Sequence, residues 1–167
     1  MRTFSKTFTR FAGWTGTLVL LAAMFSAGCK SLDRPESASF AAVVISNNSV
    51  AQIRQAAVAV FQENGYTALV LEDGSTGFQR EATGREQRQY AGLVGAHEGD
   101  KVLIRVQIKI EPKNASAYWL SCKAYAVTNP GQGIFETTNA LFGFQSDPYQ
   151  KLLNQVAARL AVAAPTP

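Results

Sequence analysis

Residues 101–111, KVLIRVQIKIE, constrain the fold more than any other stretch, because apolar and polar side chains alternate there almost without a break. β-Branched residues occupy every second position from Val102 to Ile110. Successive side chains of a β-strand point to opposite faces, so this pattern predicts a strand with one buried face. A short loop, PKNAS, follows, and residues 117–128, AYWLSCKAYAVT, are expected to return as the antiparallel partner.

Symmetric pairing about that loop predicts the register of the hairpin. It places Val106 opposite Cys122 on the apolar face and Lys109 opposite Trp119 on the other face. Cys122 is therefore expected in the core, where a cysteine behaves as a small hydrophobic residue. Lys109 and Trp119 are expected to form a cation–π pair on the exposed face.

The remaining pattern predicts two amphipathic helices and several short strands. Ser49 and Gln52 form a capping box that opens the first helix, and Asn64-Gly65 ends it. Asp147 begins the second helix, with Gln150 completing an Asp-x-x-Gln box. Further strands are expected at residues 40–45, 67–72, 78–82 and 134–138, and mostly loop at 84–99.

These elements together predict an α+β fold. We expect a two-layer sandwich, in which a mostly antiparallel sheet of about five or six strands carries two amphipathic helices on one face. One covered face and one mixed face are typical of an antiparallel sheet with helices on one side.

The first 28 residues have the composition of an export signal. Positions 1–10 hold three basic residues and no acidic one, and an uncharged, mostly apolar run of seventeen residues follows at 11–27. A transmembrane helix needs about 20 apolar residues, and this run is shorter and is interrupted by glycine and threonine. We therefore interpret residues 1–28 as a signal peptide rather than a membrane anchor.

The sequence Ser26-Ala27-Gly28-Cys29 resembles the lipobox of bacterial lipoproteins, in which small residues precede an obligatory cysteine. The resemblance implies cleavage before Cys29 and attachment to the membrane through lipid on its sulfur. Ser26 stands where the family usually has leucine, and it also suits an ordinary signal peptidase, so plain secretion is the alternative. In the family, an aspartate directly after the cysteine is the retention signal for the inner membrane. Lys30 stands there instead, which implies the outer membrane, with the domain facing the periplasm.

Removal of the leader leaves one domain. We expect a signal peptide at 1–28, a lipidated cysteine and polar tether at 29–39, a single α+β domain at 40–163 and a disordered tail at 164–167. The 139 mature residues suffice for one hydrophobic core. They carry 13 basic and 12 acidic side chains, a balance that gives no reason to expect nucleic acid as a partner.

The polar face of the predicted hairpin is the candidate binding site. It carries Arg105, Lys109, Trp119, Lys123 and Tyr125. Aromatic and arginine side chains are the usual anchors of protein–protein interfaces, so we predict that this face binds another envelope protein. The alternative is a solvated sheet face, on which scattered aromatic residues are ordinary.

The sequence offers no recognisable catalytic or metal-binding constellation. His97 is the sole histidine, and one histidine cannot supply a multi-ligand zinc site. We therefore predict no enzyme, no metal and no cofactor, but a binding or adaptor domain. Its architecture is loosely similar to periplasmic lipoprotein adaptors, such as the lipopolysaccharide-assembly lipoprotein and the helix-grip modules of the outer-membrane β-barrel assembly machinery. The alternative is a carrier that holds a lipid or other apolar ligand between helices and sheet.

Overall fold

A computed structural model describes residues 35–71, 74–97, 100–131 and 136–163, so the leader, Cys29 and the tail lie outside the described residues. The helices and strands follow in the order β1 (Ala41–Ser46), α1 (Val50–Glu63), β2 (Thr67–Val70), β3 (Thr76–Glu81), α2 (Gly84–Val94), β4 (Val102–Asn114), β5 (Ala117–Thr128), β6 (Thr137–Ala140) and α3 (Asp147–Ala163).

The six strands form one antiparallel sheet. Five strands lie in the order β1-β5-β4-β3-β2, and β6 pairs with the C-terminal half of β5, beyond the part that β1 occupies. The three helices of the described part pack against one face of this sheet, α3 on β1 and α2 on β4, β5 and β6. The predicted α+β sandwich with a mostly antiparallel sheet is confirmed.

The hydrophobic core lies between this sheet face and the helices. Alternate residues of β4 and β5 point into it, as the period of two predicts; on β4 they are Val102, Ile104, Val106 and Ile108. Phe61 of α1 stacks on Phe78 of β3 with 4.1 Å between ring centroids, and both side chains are fully buried. Aromatic rings therefore fill the centre of the interface between helices and sheet.

The predicted register of the hairpin is wrong by two residues. Ile108, not Val106, lies opposite Cys122, and Lys109 lies opposite Ser121, not Trp119. The strands continue through a bulge between Pro112 and Asn114, and only residues 115–116 form the turn. The centre of the hairpin is therefore shifted from the middle of the predicted five-residue loop. A shift of two residues preserves the face on which each side chain lies, and for this reason the predicted core positions remain correct.

The loop predicted at 84–99 is wrong over residues 84–94, which form α2. This helix buries only Tyr90 and Val94, too few residues to produce a clear helical period in the sequence. Polar contacts hold it instead. Glu86 accepts two hydrogen bonds from Arg80, and Gln87 donates to the carbonyl of Asp100.

The first helix begins and ends as the sequence predicts. Ser49 and Gln52 form the capping box, and Gly65 adopts a positive φ of 80° after the helix. In α3, however, Gln150 does not complete a box with Asp147. Its side-chain amide bonds both the N–H and the carbonyl of Ala42, and so satisfies the backbone at the free edge of β1.

Residues 35–39, which the sequence predicts as part of the tether, pack against the sheet. Residues Glu36–Ala38 form a 3₁₀ turn that contacts β5, and Ala38 is fully buried. The compact unit therefore begins at Pro35. A chain that starts at Cys29 contains the whole of this unit, since the unit begins at Pro35.

Candidate functional site

The five residues of the predicted binding site all lie on the sheet face turned away from the helices, which we call the open face. Arg105 and Lys109 belong to β4, and Trp119, Lys123 and Tyr125 belong to β5. Arg105 lies directly opposite Tyr125 in the register. The lysines are exposed and the other three side chains are partly exposed. The structure therefore brings together the residues that the alternation predicted.

The open face is concave rather than flat. A groove of about 500 Å³, which we call the polar groove, runs over the central part of β4 and β5. Its floor includes Gln107, Lys109, Ser121, Lys123 and Tyr125, and Ser75 lies at one side. Residues 35–37 line it as well, because the chain that precedes β1 passes beside this face. The sequence could not predict this wall, since it depends on a contact between residues 74 positions apart, Ser37 and Glu111.

Carboxylates pair with two of the predicted basic residues, one from a distant segment and one from the same strand. Arg105 bonds Glu136 at 2.8 Å, and Lys109 bonds Glu111 at 2.9 Å. The N–H of Gly131, with Arg105, holds the pKa of Glu136 below its usual value. The hydroxyl of Ser37, with Lys109, lowers the pKa of Glu111 in the same way.

The predicted cation–π pair forms with a different lysine. Lys113 Nζ lies 4.9 Å from the centroid of the Trp119 ring, while Lys109 is paired with Glu111. The two-residue shift in register explains this exchange, since Trp119 lies opposite Glu111 and near the end of the hairpin. Unlike Arg105 and Lys109, Lys123 forms no ion pair among the described residues.

Sequence reasoning missed a second surface beside the open face. A groove of about 270 Å³, which we call the side groove, lies where β1 and β6 meet along β5. Lys123 and Tyr125 line it as they line the polar groove, together with Phe40 and Gly143. Next to it, Phe142 and Phe144 are 54% and 79% exposed. Two phenylalanines flanking a glycine just before a helix were the signal that could have identified this loop.

The two residues that a thiol or acid–base mechanism would need lie in different environments, since Cys122 is buried in the core and His97 is exposed after α2. Cys122 is 1% exposed, and burial raises the pKa of its thiol to about 12, so the nucleophilic thiolate is suppressed. The backbone N–H of His97 donates to the carboxylate of Asp100, which closes the loop after α2. Glu98 lies outside the described residues. Within the described ranges, no group of three or more His, Cys, Asp or Glu side chains is placed to hold a metal ion.

A polar cluster lies under the helices, on the opposite side of the sheet from the open face. Arg80 bonds Glu86 through two contacts of 2.7 Å and lies 5.0 Å from the centroid of the Tyr66 ring. The bond to Glu86 keeps the pKa of Arg80 above its usual value, and burial raises the pKa of Tyr66, Tyr90 and Tyr149. All three hydroxyls therefore stay protonated, and the cluster attaches α2 to the sheet.

Comparisons with known proteins do not assign this chain. No family matches it, and no curated protein matches it. Among solved structures it is similar to the crystal structure of the adenylate sensor from AMP-activated protein kinase in complex with 5-aminoimidazole-4-carboxamide 1-beta-D-ribofuranotide (ZMP), with 14% identity and a TM-score of 0.40 over 71% of this chain and 94% of that chain. A similarity of that size carries no argument about function. No helix in the described part of the chain is long and apolar enough to cross a membrane.

Proposed function

We propose that this protein is a lipid-anchored lipoprotein of the bacterial cell envelope, whose domain binds another envelope protein through the open face. The polar groove carries this proposal, because it is a concave surface that combines aromatic and basic side chains beside the start of the domain. The lipobox-like sequence that ends at Cys29 supports the anchor. Lys30 supports the outer membrane, with the domain in the periplasm.

The chemistry of the polar groove favours an extended segment of a partner protein with acidic side chains. The groove extends over five residues of each strand, or about 15 Å at the rise of a β-strand. Lys123 is exposed without a carboxylate partner among the described residues, and Tyr125 lies beside it on the floor. A partner carboxylate would compensate this charge, and the tyrosine ring would supply contact area with little loss of entropy.

The open face is a better candidate for binding than the space between helices and sheet. A carrier of apolar ligands would need a cavity there, and stacked Phe61 and Phe78 occupy its centre. The arrangement of the open face also favours binding over catalysis. Its carboxylates, Glu111 and Glu136, are paired with neighbouring cations, and their pKa values lie below the usual value. Both features support a non-enzymatic adaptor domain.

The mass of the native protein tests the anchor. The protein extracted from membranes with detergent is expected to start at Cys29 and to carry a diacylglyceryl group, with or without a further acyl chain. Mass spectrometry of the intact chain measures this directly. A mature chain without lipid would overturn the anchor and favour plain secretion.

Site-specific photo-crosslinking in cells tests the binding face. A photo-reactive amino acid at Lys123 should crosslink to one defined protein, and Tyr125→Ala should reduce the yield because it removes the ring beside that position. Arg54, exposed on α1, is the matched control position and should give no such product. Equal products from both positions, or none from Lys123, would contradict the open face as the binding site.

A further inference from the structure

Two exposed phenylalanines form a small apolar surface next to the side groove. The rings of Phe142 and Phe144 stack with 5.6 Å between centroids and an interplanar angle of 10°. Both are largely exposed, although aromatic side chains usually supply the core. We call residues 142–144 the aromatic loop. Burial within the domain does not explain these two rings, since they pack on each other rather than into the core.

The backbone holds the aromatic loop in one conformation. The N–H of Leu141 donates to the carbonyl of Ala124 at 2.8 Å, so the start of the loop is fixed to β5. The side chain of Gln145 accepts from the N–H of Phe142 at 2.8 Å, and the N–H of Gln145 donates to the carbonyl of Phe142 at 2.8 Å. The loop therefore presents its rings from a supported turn, which lowers the entropy lost when they bind.

The aromatic loop lies beside Ser39 and Phe40, close to the first described residue, Pro35. Gly143 lines the side groove with Ser39 and Phe40, which join the 3₁₀ turn to β1. Lys123 lines this groove and also the polar groove, whose wall contains Pro35. Pro35, Lys123 and the aromatic loop thus belong to one continuous surface.

The length of chain before Pro35 limits how this surface can be oriented. Cys29 lies six residues before Pro35, and six residues reach at most about 20 Å when fully extended. A domain of this size has a radius of gyration of about 14 Å. The link is therefore shorter than the diameter of the domain, and a lipid on Cys29 keeps the surface around Pro35 close to the bilayer.

We propose that the aromatic loop inserts into the surface of the phospholipid bilayer to which Cys29 is anchored, an inference that rests on the proposed lipid anchor. Phe142 and Phe144 enter the boundary between headgroups and acyl chains, where apolar rings gain burial. Lys123 lines both the side groove and the polar groove, so the membrane-facing loop adjoins the polar groove and leaves this lysine to the partner's carboxylate. The loop and the anchor together fix the orientation of the domain, with the open face beside the membrane surface.

Tryptophan fluorescence on anchored protein tests this inference. The mature chain from Cys29 is coupled through that thiol to a maleimide lipid in vesicles of phosphatidylethanolamine and phosphatidylglycerol. Cys122 does not compete because it is buried. Phe144→Trp reports the aromatic loop, and the wild-type chain gives the background of Trp119. Val162→Trp is the matched control, since Val162 is 88% exposed near the other end of α3, about 20 Å along the helix axis from its start.

The expected result is a blue shift of the added emission in Phe144→Trp and its quenching by brominated lipids, with neither effect in Val162→Trp. Equal emission and quenching in the two variants would overturn the inference. So would a Phe144→Trp protein whose aromatic loop binds a protein partner while the added tryptophan stays unquenched in vesicles. The chemical anchor makes this result independent of natural lipidation. An unlipidated native mass with a quenched Phe144→Trp would therefore reject the proposed anchor alone, and a lipidated native mass with an unquenched Phe144→Trp would reject the bilayer contact alone.

Discussion

The two faces of strands β4 and β5 differ in the contacts that their side chains make. On the face under the helices, alternate side chains are apolar and almost completely buried, and their partners are other apolar side chains of the core. On the open face, the same strands present mostly polar and aromatic side chains, and two of their partners come from segments distant in the sequence. Arg105 bonds Glu136, and Glu111 bonds Ser37.

This difference shows which properties a local pattern can determine. Burial on one face needs only apolar side chains at every second position, and it tolerates a shift of two residues in the register. Ion pairs and hydrogen bonds need particular atoms within about 3 Å of each other, so the same shift replaces Lys109 with Lys113 at Trp119. The covered face should therefore dominate stability, and the open face should contribute little to it.

The stacked pair Phe61 and Phe78 gives the largest test of this comparison. Phe78→Ala should lower the free energy of unfolding by about 3–5 kcal/mol, because it leaves a cavity against a ring that is fully buried. Urea denaturation measures the loss, and protection of the buried thiol of Cys122 from labelling gives a second readout. Phe144→Ala is the control, because its exposed ring should cost no more than about 0.5 kcal/mol. Equal losses in the two variants would contradict the assignment of the core.

The sheet, the first helix and the faces of β4 from Val102 to Glu111 and of β5 from Tyr118 to Ala126 were predictable, because these depend on periodicity and on local capping. Sequence analysis missed α2, whose attachment to the sheet comes from Arg80 and Glu86 rather than from an apolar stripe. It also assigned Gln150 to a local cap, whereas its side chain bonds Ala42, which is 108 positions away. Long-range polar contacts of this kind leave no periodic signal.

The same reasoning explains what could be predicted of the candidate site. The five residues of the open face were found from their register positions, although their pairing was not. The concave shape was not predictable, because its wall is made by residues 35–37, which the sequence suggested as tether. The aromatic loop was overlooked because it interrupts no periodic element.

The ion pair under α2 tests whether a polar contact on the covered face matters more than one at the surface. Glu86→Gln should destabilise the domain by about 1.5 kcal/mol or more, because it breaks two charge-assisted hydrogen bonds to a mostly buried guanidinium. Faster hydrogen exchange of the α2 amides is the local readout. Glu81→Gln is the matched control, since its pair with Lys101 is largely exposed and should contribute about 0–1 kcal/mol. A larger effect in the control would reverse the comparison.

Acid titration tests the contribution of the open face. The folded-state pKa of Glu136 lies below its usual value, so its stabilisation is present above the pKa of the unfolded chain and is lost as the pH falls through the lowered pKa. Glu136→Gln should therefore reduce stability at neutral pH by no more than about 1 kcal/mol and flatten its decrease below about pH 5.

Urea unfolding across this range measures both effects. Arg105→Met should flatten the decrease only in part, because the N–H of Gly131 is the main cause of the lowered pKa and remains in that variant. Complete flattening in Arg105→Met would show that the ion pair, rather than the backbone hydrogen bond, controls this carboxylate.

The lysine that contacts Trp119 gives the smallest and most specific test. Lys113→Met should lower the free energy of unfolding by about 0.5–1 kcal/mol and shift the emission of Trp119, because Lys113 Nζ lies 4.9 Å from the ring centroid. Lys109→Met is the matched control. It should leave the emission unchanged, since Lys109 bonds Glu111 and lies opposite Ser121. Emission that responds to Lys109→Met but not to Lys113→Met would restore the symmetric register, and with it the pairing that the sequence alone suggested. The open face would then carry the same residues with different cross-strand neighbours. Binding at Trp119 and Lys123 depends on which residues those neighbours are.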